Sequence, residues 1–421
     1  MNPPPPAGAV GHTMTPPLLA VVGIGAGGWA ELGESARSAL IAAETIIGSA
    51  RQLALLPQSS AVHRPWPSPI DPLVDELVAG TDARVCVLAS GDPMLHGIGA
   101  TLARRMAPGR LVVHPHPSAF ALACARLGWP SDEVELVSAV AQPREVVVRL
   151  LAPGRRLVVY SAGAGGAAGV ARLLRERGFG ASRLVVLEQL GGPAERIVQS
   201  TAQDWVETAV DPLHAVAIEC RANAGTPVYS LVPGLPDGAY EHDGALTKRH
   251  VRAATVAALV PAPGALLWDI GAGSGSIAIE WLRAETTAAA IAIEARAERA
   301  QRIGANALRL GVPRLRVVPG RAPEALDGLP RPDSVFIGGG LTSAGILARC
   351  WEALAAGGRI VANAVTLEGE QALLAARAAC GGDLVRITIS HAEPIGGFEA
   401  WRAQLPVVQW SALKEPAVRG E

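Results

Sequence analysis

The segment that most limits what this chain can fold into is residues 266–276, which read Leu-Leu-Trp-Asp-Ile-Gly-Ala-Gly-Ser-Gly-Ser. An apolar run of this length that ends in glycines is typical of a buried parallel strand. Gly271, Gly273 and Gly275 permit a tight turn that a ligand can approach closely, and the helix that follows offers N–H groups at its first turn. The segment therefore predicts a strand, a glycine loop and a helix, with a ligand bound at the loop.

The acidic residues around this loop distinguish between possible ligands. Glu294 ends the next predicted strand, where a carboxylate reaches the ribose hydroxyls of a nucleoside. Asp269 precedes the loop, where it would repel a pyrophosphate but suit a cationic sulfonium. The dinucleotide fingerprint also requires glycine at position 276, which is a serine here. We therefore favour an S-adenosylmethionine site over a dinucleotide site or a purely structural turn. The candidate residues are Asp269, Gly271, Gly273, Ser274, Gly275 and Glu294.

A second glycine loop lies near the amino terminus. Residues 18–25 form a short apolar run, and residues 23–28 match the dinucleotide pattern, which is a weak signal alone. Residues 90–92 follow another predicted strand, and Pro93 makes that turn stiff. Ligands bind at the carboxyl ends of strands in open α/β sheets, so the two turns together predict another ligand cleft. The alternative is an ordinary Asp-Pro turn.

Ala-rich helical stretches alternate with Val/Leu strands over most of the chain, which predicts an α/β architecture with a mostly parallel sheet. The pattern fails over residues 221–245, which are rich in Gly, Pro, Asn and Asp, and a second α/β series starts at Lys248. The predicted organisation is a disordered lead-in (1–17), a first domain (18–222), a linker (223–244), a second domain (245–411) and a tail (412–421).

The composition argues against several classes of protein. A net charge of −1 argues against a nucleic-acid-binding protein, which usually carries a basic surface. No apolar run is long and unbroken enough to span a membrane. Five cysteines lie far apart in the sequence, which favours a reducing, cytoplasmic location. We find no nucleophile-elbow or zinc-helix motif, so the sequence names neither a catalytic residue nor a metal site.

Four segments of the first half resemble the tetrapyrrole methylase family, the class III S-adenosylmethionine-dependent methyltransferases of corrin synthesis: residues 22–28, 47–53, 90–94 and 116–119. The second half is similar to the decarboxylating class I precorrin methyltransferases over residues 246–249, 268–280, 337–340 and 362–368. The resemblance implies an α/β chain with an N-terminal bilobal tetrapyrrole-methylase fold and a C-terminal Rossmann-like class I methyltransferase fold.

The two domains in this order resemble the fused methyltransferases of cobalamin biosynthesis. The resemblance implies that the first domain methylates precorrin-6B at C-5. The second would remove the carboxyl group of the C-12 acetate and methylate C-15, giving precorrin-8. Two S-adenosylmethionine sites per chain, a tetrapyrrole substrate, no nucleic-acid or membrane partner and a homo-oligomer are expected. The alternatives are the same reactions on cobalt-containing intermediates, or a dinucleotide-dependent oxidoreductase.

The resemblance also assigns residues to the two cofactor sites. The first cleft would be lined by Gly23, Gly25, Gly27, Ser90, Gly91 and Asp92. The second would use Thr247, the loop from Gly271 to Gly275, Glu294 at the ribose and Ala322 near the adenine. Candidates for binding the substrate carboxylates are Lys248, Arg249, Arg252, Arg296, Arg299 and Arg302. The alternative for each of these cations is a solvated helix face.

Overall fold

The computed structural model describes residues 19–80, 83–206 and 209–415. Contacts divide the chain into two compact units. The N-terminal unit comprises residues up to Ser138, Gly154–Arg175 and Gly180–Arg221, and the C-terminal unit comprises Ala139–Pro153, Glu176–Phe179 and the chain from Ala222 onward. The predicted lead-in, residues 1–17, lies outside the described residues.

The N-terminal unit begins with a five-stranded sheet. Its strands are β1 (Leu19–Ile24), β2 (Thr45–Gly48), β3 (Val62–Pro65), β4 (Val85–Ser90) and β5 (Leu111–His114). Its helices are α1 (Glu34–Ala42), α2 (Ala50–Leu53), α3 (Asp71–Ala79) and α4 (Ile98–Ala103). The order is β3-β2-β4-β1-β5, and the described pairings are parallel. Since β1 and β4 are neighbours, the two predicted turns lie at the same sheet edge.

The second sheet of this unit differs from the expected mostly parallel arrangement. Its strands are β6 (Val134–Ala139), β7 (Arg156–Ser161), β8 (Arg183–Glu188), β9 (Arg196–Thr201) and β10 (His214–Glu219), and its helices are α5 (Ala119–Leu127) and α6 (Gly166–Glu176). The order is β6-β7-β10-β8-β9, and β10 pairs antiparallel with both β7 and β8. Short connections such as that from β8 to β9 permit antiparallel pairing without a crossover helix.

The C-terminal unit contains a seven-stranded sheet and a separate hairpin. Its strands are β11 (Leu266–Ile270), β12 (Ala289–Glu294), β13 (Arg316–Pro319), β14 (Ser334–Ile337), β15 (Arg359–Ala364), β16 (Asp383–Ile387), β17 (Ser390–Ile395), β18 (Phe398–Ala403) and β19 (Val407–Leu413). Its helices are α7 (Arg249–Leu259), α8 (Ser276–Ala284), α9 (Ala297–Arg309), α10 (Ile346–Ala353) and α11 (Leu367–Cys380).

The sheet order of the C-terminal unit determines where its ligand site lies. The order is β13-β12-β11-β14-β15-β19-β16, with parallel pairing from β13 to β15 and antiparallel pairing of β19 with both β15 and β16. Strands β17 and β18 form the separate hairpin. Strand β11 lies inside the sheet, and both of its faces are covered: Leu267 and Trp268 are 0% and 2% exposed. The glycine loop therefore starts from a rigid, buried strand.

Residues 223–244, interpreted as a linker, pack into the C-terminal unit. Leu235, Ala239 and Tyr240 are buried in its core. The Glu280 carboxylate accepts hydrogen bonds from the N–H groups of Gly234 (2.6 Å) and Leu235 (3.0 Å) and from the Tyr240 hydroxyl (2.9 Å). The Gly- and Pro-rich composition concealed this packing because the contacts are made to a distant helix, α8.

The predicted tail, residues 412–421, also begins inside the fold. Ala412 and Leu413 continue β19, and the Lys414 ammonium donates to the carbonyl oxygens of Trp351 and Leu354 at 2.6 and 2.9 Å. Residues 416–421 lie outside the described residues. Among the helices that the structure describes, none combines the length and the apolar character that crossing a bilayer requires.

Candidate cofactor and active sites

The C-terminal glycine loop requires glycine at three positions for different steric reasons. Gly271, Gly273 and Gly275 have φ values of +67°, +60° and +77°, in the left-handed region that favours glycine. A Cβ on Gly271 would lie 2.6 Å from the Cα of Gly339, and one on Gly275 would lie 2.7 Å from the Cγ2 of Ile303. The loop is thus held against the turn after β14 on one side and against α9 on the other.

The main-chain donors of this loop are already engaged within the protein. The N–H groups of Gly271 and Ala272 donate to the carbonyl of Ile293 at 2.9 and 3.1 Å, and that of Gly275 donates to Ala272 at 2.8 Å. The N–H of Gly273 donates to the Glu294 carboxylate at 2.8 Å. A pyrophosphate needs such N–H groups free and would meet the Glu294 charge. The geometry therefore argues against the dinucleotide alternative.

Asp269 is buried between the glycine loop and α8 and does not line the cavity beside the loop. The side chain is 1% exposed, and its Oδ2 accepts a hydrogen bond from the N–H of Ala278 in the first turn of α8 at 3.1 Å. Its Oδ1 has no hydrogen-bond partner among the described residues. Burial raises the pKa of Asp269 from 3.8 to about 7, while the hydrogen bond from Ala278 acts in the opposite direction.

The raised pKa of Asp269 predicts a pH-dependent stability. Between pH 4 and 7 the folded protein keeps a proton that the unfolded chain releases, so the free energy of unfolding falls as pH rises and levels off above 7. The Asp269→Asn variant is neutral throughout. Its stability relative to wild type is expected to increase by about 2–3 kcal/mol between pH 5 and pH 8. Urea unfolding at the two pH values measures this, and a constant difference would contradict the prediction.

A cavity of about 630 Å³ opens beside the glycine loop, within the size range of small-molecule sites. Thr247, Gly271 and Gly273 line it, together with apolar side chains such as Leu246, Ile277 and Phe336. Five other predicted residues are not part of its lining. Asp269, Ser274 and Glu294 are buried beneath or within the loop, and Gly275 packs against Ile303. Ala322 is half-buried against the core around Leu326.

The candidate cations divide into two groups. Lys248 and Arg299 line the cavity, and the Arg299 Nε donates to the Asp243 carboxylate at 2.8 Å. Hydrogen bonds from the Arg299 side chain and from the N–H of Ala245 hold the pKa of Asp243 well below its usual range, and the charges of Arg299 and Arg302 act in the same direction. Arg252 is 0% exposed and lies 2.6 Å from the Glu280 carboxylate. It is therefore neither exposed to bind a substrate carboxylate nor part of a solvated helix face, and both expectations for this residue are wrong.

A buried network of three polar side chains, which the sequence analysis did not identify, also reaches the cavity. Asn363, on β15, lines the cavity and contacts Thr255 and Gln409 through its amide. Asn363 lies within the 362–368 segment that carries the family resemblance, which is the one signal that pointed to this position.

In the N-terminal unit the predicted glycine turns contact each other directly. A Cβ on Gly23 would lie 2.3 Å from the carbonyl oxygen of Gly91, and one on Gly25 would lie 2.6 Å from the His116 ring. One on Gly27 would lie 2.2 Å from the Glu31 carboxyl carbon. Gly91 has a φ of +58° and donates its N–H to Ile24 at 3.0 Å. The turns after β1 and β4 therefore form one closely packed edge.

The other predicted residues of this edge have defined partners. The Ser90 hydroxyl accepts hydrogen bonds from Arg51 and Gln52, both at 3.1 Å. The Asp92 Oδ1 accepts from the N–H of Met94 at 2.8 Å, which makes the turn that the Asp-Pro sequence indicated. Burial lowers the pKa of Arg51, and the nearby Asp211 carboxylate opposes this shift.

Glu31 places a carboxylate against the first glycine loop. Its Oε2 lies 3.6 Å from the Nε2 of His116, and its carboxyl group contacts the space that side chains at positions 25 and 27 would fill. The His116 Nδ1 lies 3.1 Å from the carbonyl oxygen of Pro117. A negative charge at this turn suits a cationic ligand better than a phosphate.

Comparison with known proteins follows the division seen in the structure. Residues 18–205 match the family model of tetrapyrrole (corrin/porphyrin) methylases, and residues 238–414 match that of the precorrin methyltransferase domain. A Sinorhizobium protein named precorrin-6Y C(5,15)-methyltransferase (decarboxylating) is 47% identical over 94% of this chain and 97% of its own length. The chain belongs to the decarboxylating precorrin-6Y C(5,15)-methyltransferase family. A Mycobacterium tuberculosis protein of the same name is 45% identical over 94% of this chain and all of its own length.

Membership of the precorrin-6Y C(5,15)-methyltransferase family makes the chain an S-adenosylmethionine-dependent methyltransferase with two α/β units of different fold. The bilobal tetrapyrrole-methylase and methyltransferase-like folds expected from the sequence are confirmed. The C-terminal domain of the Rhodobacter capsulatus precorrin-6Y C5,15-methyltransferase is a solved structure. It is 52% identical, covers 44% of this chain and 100% of its own, and has a TM-score of 0.42.

Proposed function

We propose that the chain is a bifunctional enzyme of cobalamin biosynthesis that acts on precorrin-6B. The N-terminal unit methylates C-5, and the C-terminal unit removes the carboxyl group of the C-12 acetate and methylates C-15. The observation that carries this proposal is the match over nearly the whole chain to relatives named for both methylations and for decarboxylation. Two S-adenosylmethionine sites per chain, one in each unit, are part of the proposal.

The residues of the C-terminal unit fit S-adenosylmethionine. The cavity is largely apolar, its glycine loop leaves few free N–H groups for phosphates, and Thr247 lies at its wall. When bound, the cofactor supplies an activated methyl group. The protein then mainly has to hold donor and acceptor in line, and orientation alone contributes about 7–11 kcal/mol to such reactions. The apolar side chains keep water away from the methyl group.

The N-terminal unit fits the same cofactor for a different reason. The turns after β1 and β4 bring the Glu31 and Asp92 carboxylates to one sheet edge, where ligands of open α/β sheets bind. Carboxylates there favour a sulfonium and disfavour a pyrophosphate. The assignments of Gly23, Gly25, Gly27, Ser90, Gly91 and Asp92 to this cofactor remain predictions.

Cobalt-containing intermediates are a second candidate substrate. A Salmonella typhimurium protein named cobalt-precorrin-7 C(5)-methyltransferase is 31% identical, but it matches only 49% of this chain. The fused relatives that match 94% are named without cobalt. The cobalt-free substrate is therefore proposed.

A homo-oligomer and a cytoplasmic location also remain predictions. Phe398 and Trp401 on the β17–β18 hairpin are 81% and 77% exposed, and exposed aromatic side chains of this kind support the prediction of self-association. The cytoplasmic location rests on the cysteine usage of the sequence alone.

Binding and product analysis test the proposal together. Titration of the full chain with S-adenosylhomocysteine, the demethylated cofactor, is expected to show two sites per chain. Mass spectrometry after incubation with precorrin-6B and S-adenosylmethionine is expected to show two methyl groups gained and one CO2 lost. No mass change of precorrin-6B would refute the function. Binding at one site alone would refute the two-site arrangement, and turnover of cobalt-precorrin alone would favour the second candidate.

A further inference from the structure

Three polar side chains form a buried network at one wall of the C-terminal cavity. Asn363 on β15 and Gln409 on β19 are directly opposite each other in the antiparallel pair, and Thr255 lies on α7, which packs over them. The Asn363 Nδ2 and the Gln409 Nε2 each lie 3.0 Å from the Thr255 hydroxyl. The Gln409 Nε2 also lies 2.9 Å from the Asn363 Oδ1. Thr255 and Gln409 are 0% and 5% exposed.

The network determines which way the Asn363 amide faces. The Thr255 hydroxyl donates its proton to the carbonyl of Val251 at 2.8 Å, so it accepts from both amides. Asn363 must therefore turn its nitrogen towards Thr255 and its oxygen towards Gln409. One N–H and one lone pair of the Asn363 amide are not used in this network. Because Asn363 lines the cavity, these groups are available to a ligand there.

The strand order places this amide apart from the predicted cofactor contacts. Gly271 and Gly273 follow β11, and Glu294 ends β12. Asn363 lies one residue before the end of β15, which is two strands from β11 on the side away from β12. Neighbouring strands are about 4.8 Å apart, so roughly 10 Å separates the two positions. The glycine-loop half of the cavity fits the nucleoside, and the Asn363 half fits the methyl acceptor.

We propose that the free N–H of Asn363 binds the substrate carboxylate that leaves as CO2, and that Gln409 and Thr255 are positioning residues for it. The inference rests on the proposed function. In the reaction, the bond between the acetate CH2 and its carboxylate breaks and the electron pair enters the conjugated macrocycle. CO2 leaves, and a proton from water completes the methyl group. The charge disappears from the carboxylate during this step.

A neutral amide suits this role. A cationic side chain would stabilise the carboxylate before CO2 loss more than during it, which raises the barrier. Asn363 can orient the same group with a weaker interaction. The cavity lining contains no acidic side chain among the described residues, and of its two cations Arg299 already pairs with Asp243. Asn363 is thus the tethered polar group best placed to fix the direction of the breaking bond.

The Asn363→Ala variant of the full chain tests the inference with precorrin-6B as substrate. CO2 loss is expected to slow by about 10- to 100-fold, because the carboxylate is no longer held in the direction that the breaking bond requires and a misplacement of about 1 Å can cost about 100-fold. C-5 methylation by the same chain is an internal reference and should keep its rate. The affinity for S-adenosylhomocysteine should not change, because the amide does not contact the cofactor.

Two further variants separate binding from structure. Asn363→Asp has the same shape but repels a carboxylate, so it should lose CO2 release at least as completely as Asn363→Ala. Gln409→Leu keeps the Asn363 amide but removes the hydrogen bond to its oxygen that orients it. This variant should therefore slow CO2 release less than Asn363→Ala does. Ser334→Ala is the control, because Ser334 is a buried polar residue that pairs with Arg359 at the start of β15, whereas Asn363 lies near the end of that strand. It should not change the ratio of decarboxylated to C-5-methylated product.

The outcomes distinguish this inference from the proposed function. CO2 release at the wild-type rate in Asn363→Ala or Asn363→Asp would overturn the inference, as would weakened S-adenosylhomocysteine binding in either. Should Asn363→Ala fail to fold, Asn363→Asp and Gln409→Leu decide the matter. Failure of the wild-type protein to release CO2 from precorrin-6B would instead refute the proposed function.

Discussion

The Gly271→Ala substitution is expected to abolish the reactions of the C-terminal unit and to spare those of the N-terminal unit. A methyl group at this position meets the backbone of Gly339 at 2.6 Å, and backbone cannot move aside as a side-chain tip can. The φ of +67° adds about 1–2 kcal/mol of strain for alanine. The loop must therefore shift towards the cavity, and a displacement of about 1 Å can cost about 100-fold in rate.

The measurements are product mass and cofactor stoichiometry. The Gly271→Ala chain should give a product with one methyl group gained and the acetate retained, and it should bind S-adenosylhomocysteine at one site. Gly304→Ala is the matched control, because a Cβ at this position in α9 meets no atom within 4 Å. In the reciprocal variant, Gly23→Ala, C-5 methylation alone should be lost. Retention of CO2 release in Gly271→Ala would contradict the assignment of this loop.

The glycine loops could be predicted because their signal is local. Glycines at positions 271, 273 and 275 permit the left-handed backbone that the structure has there, and neighbouring strands bring 23–27 and 90–92 to one edge. What each residue contacts could not be read in the same way. Asp269 was expected beside a ligand cation, yet the structure places it under the loop, where α8 supplies a hydrogen bond to its carboxylate. Its role as a cofactor contact remains a prediction.

The polar networks escaped prediction because they depend on long-range register. Asn363 meets Gln409 only because β19 returns antiparallel beside β15, and neither the strand nor its direction was predicted. Strands β17 and β18 were also missed, since nearly all of their residues are exposed and give no alternating apolar pattern. Arg252 was considered a ligand for the substrate carboxylates or a cation on a solvated helix face, because its partner, Glu280, lies on another helix.

The second large effect is expected from Glu280→Gln, which removes the charge opposite Arg252. Both side chains are buried, at 1% and 0% exposed, and lie 2.6 Å apart. Removal of the buried partner leaves the guanidinium with only the partly exposed Asp237 carboxylate, 3.2 Å away, as its counter-charge. Loss of a buried partner costs about 3–5 kcal/mol in comparable sites. The amide nitrogen of glutamine would also face N–H donors at Gly234 or Leu235, where the carboxylate oxygens now accept. We expect the free energy of unfolding of the C-terminal unit to fall by about this amount, 3–5 kcal/mol.

Urea unfolding followed by tryptophan fluorescence measures the loss, and hydrogen exchange locates it in residues 222–415. The loss should extend to the cofactor cavity, because the Arg252 guanidinium also donates to the carbonyl of Thr247 at 2.5 Å, and Thr247 lines that cavity. Glu76→Gln is the control, since its pair with Arg64 is exposed and should contribute less than about 1 kcal/mol. Equal effects of the two substitutions would mean that the Arg252–Glu280 pair does not hold residues 234–247 against α8.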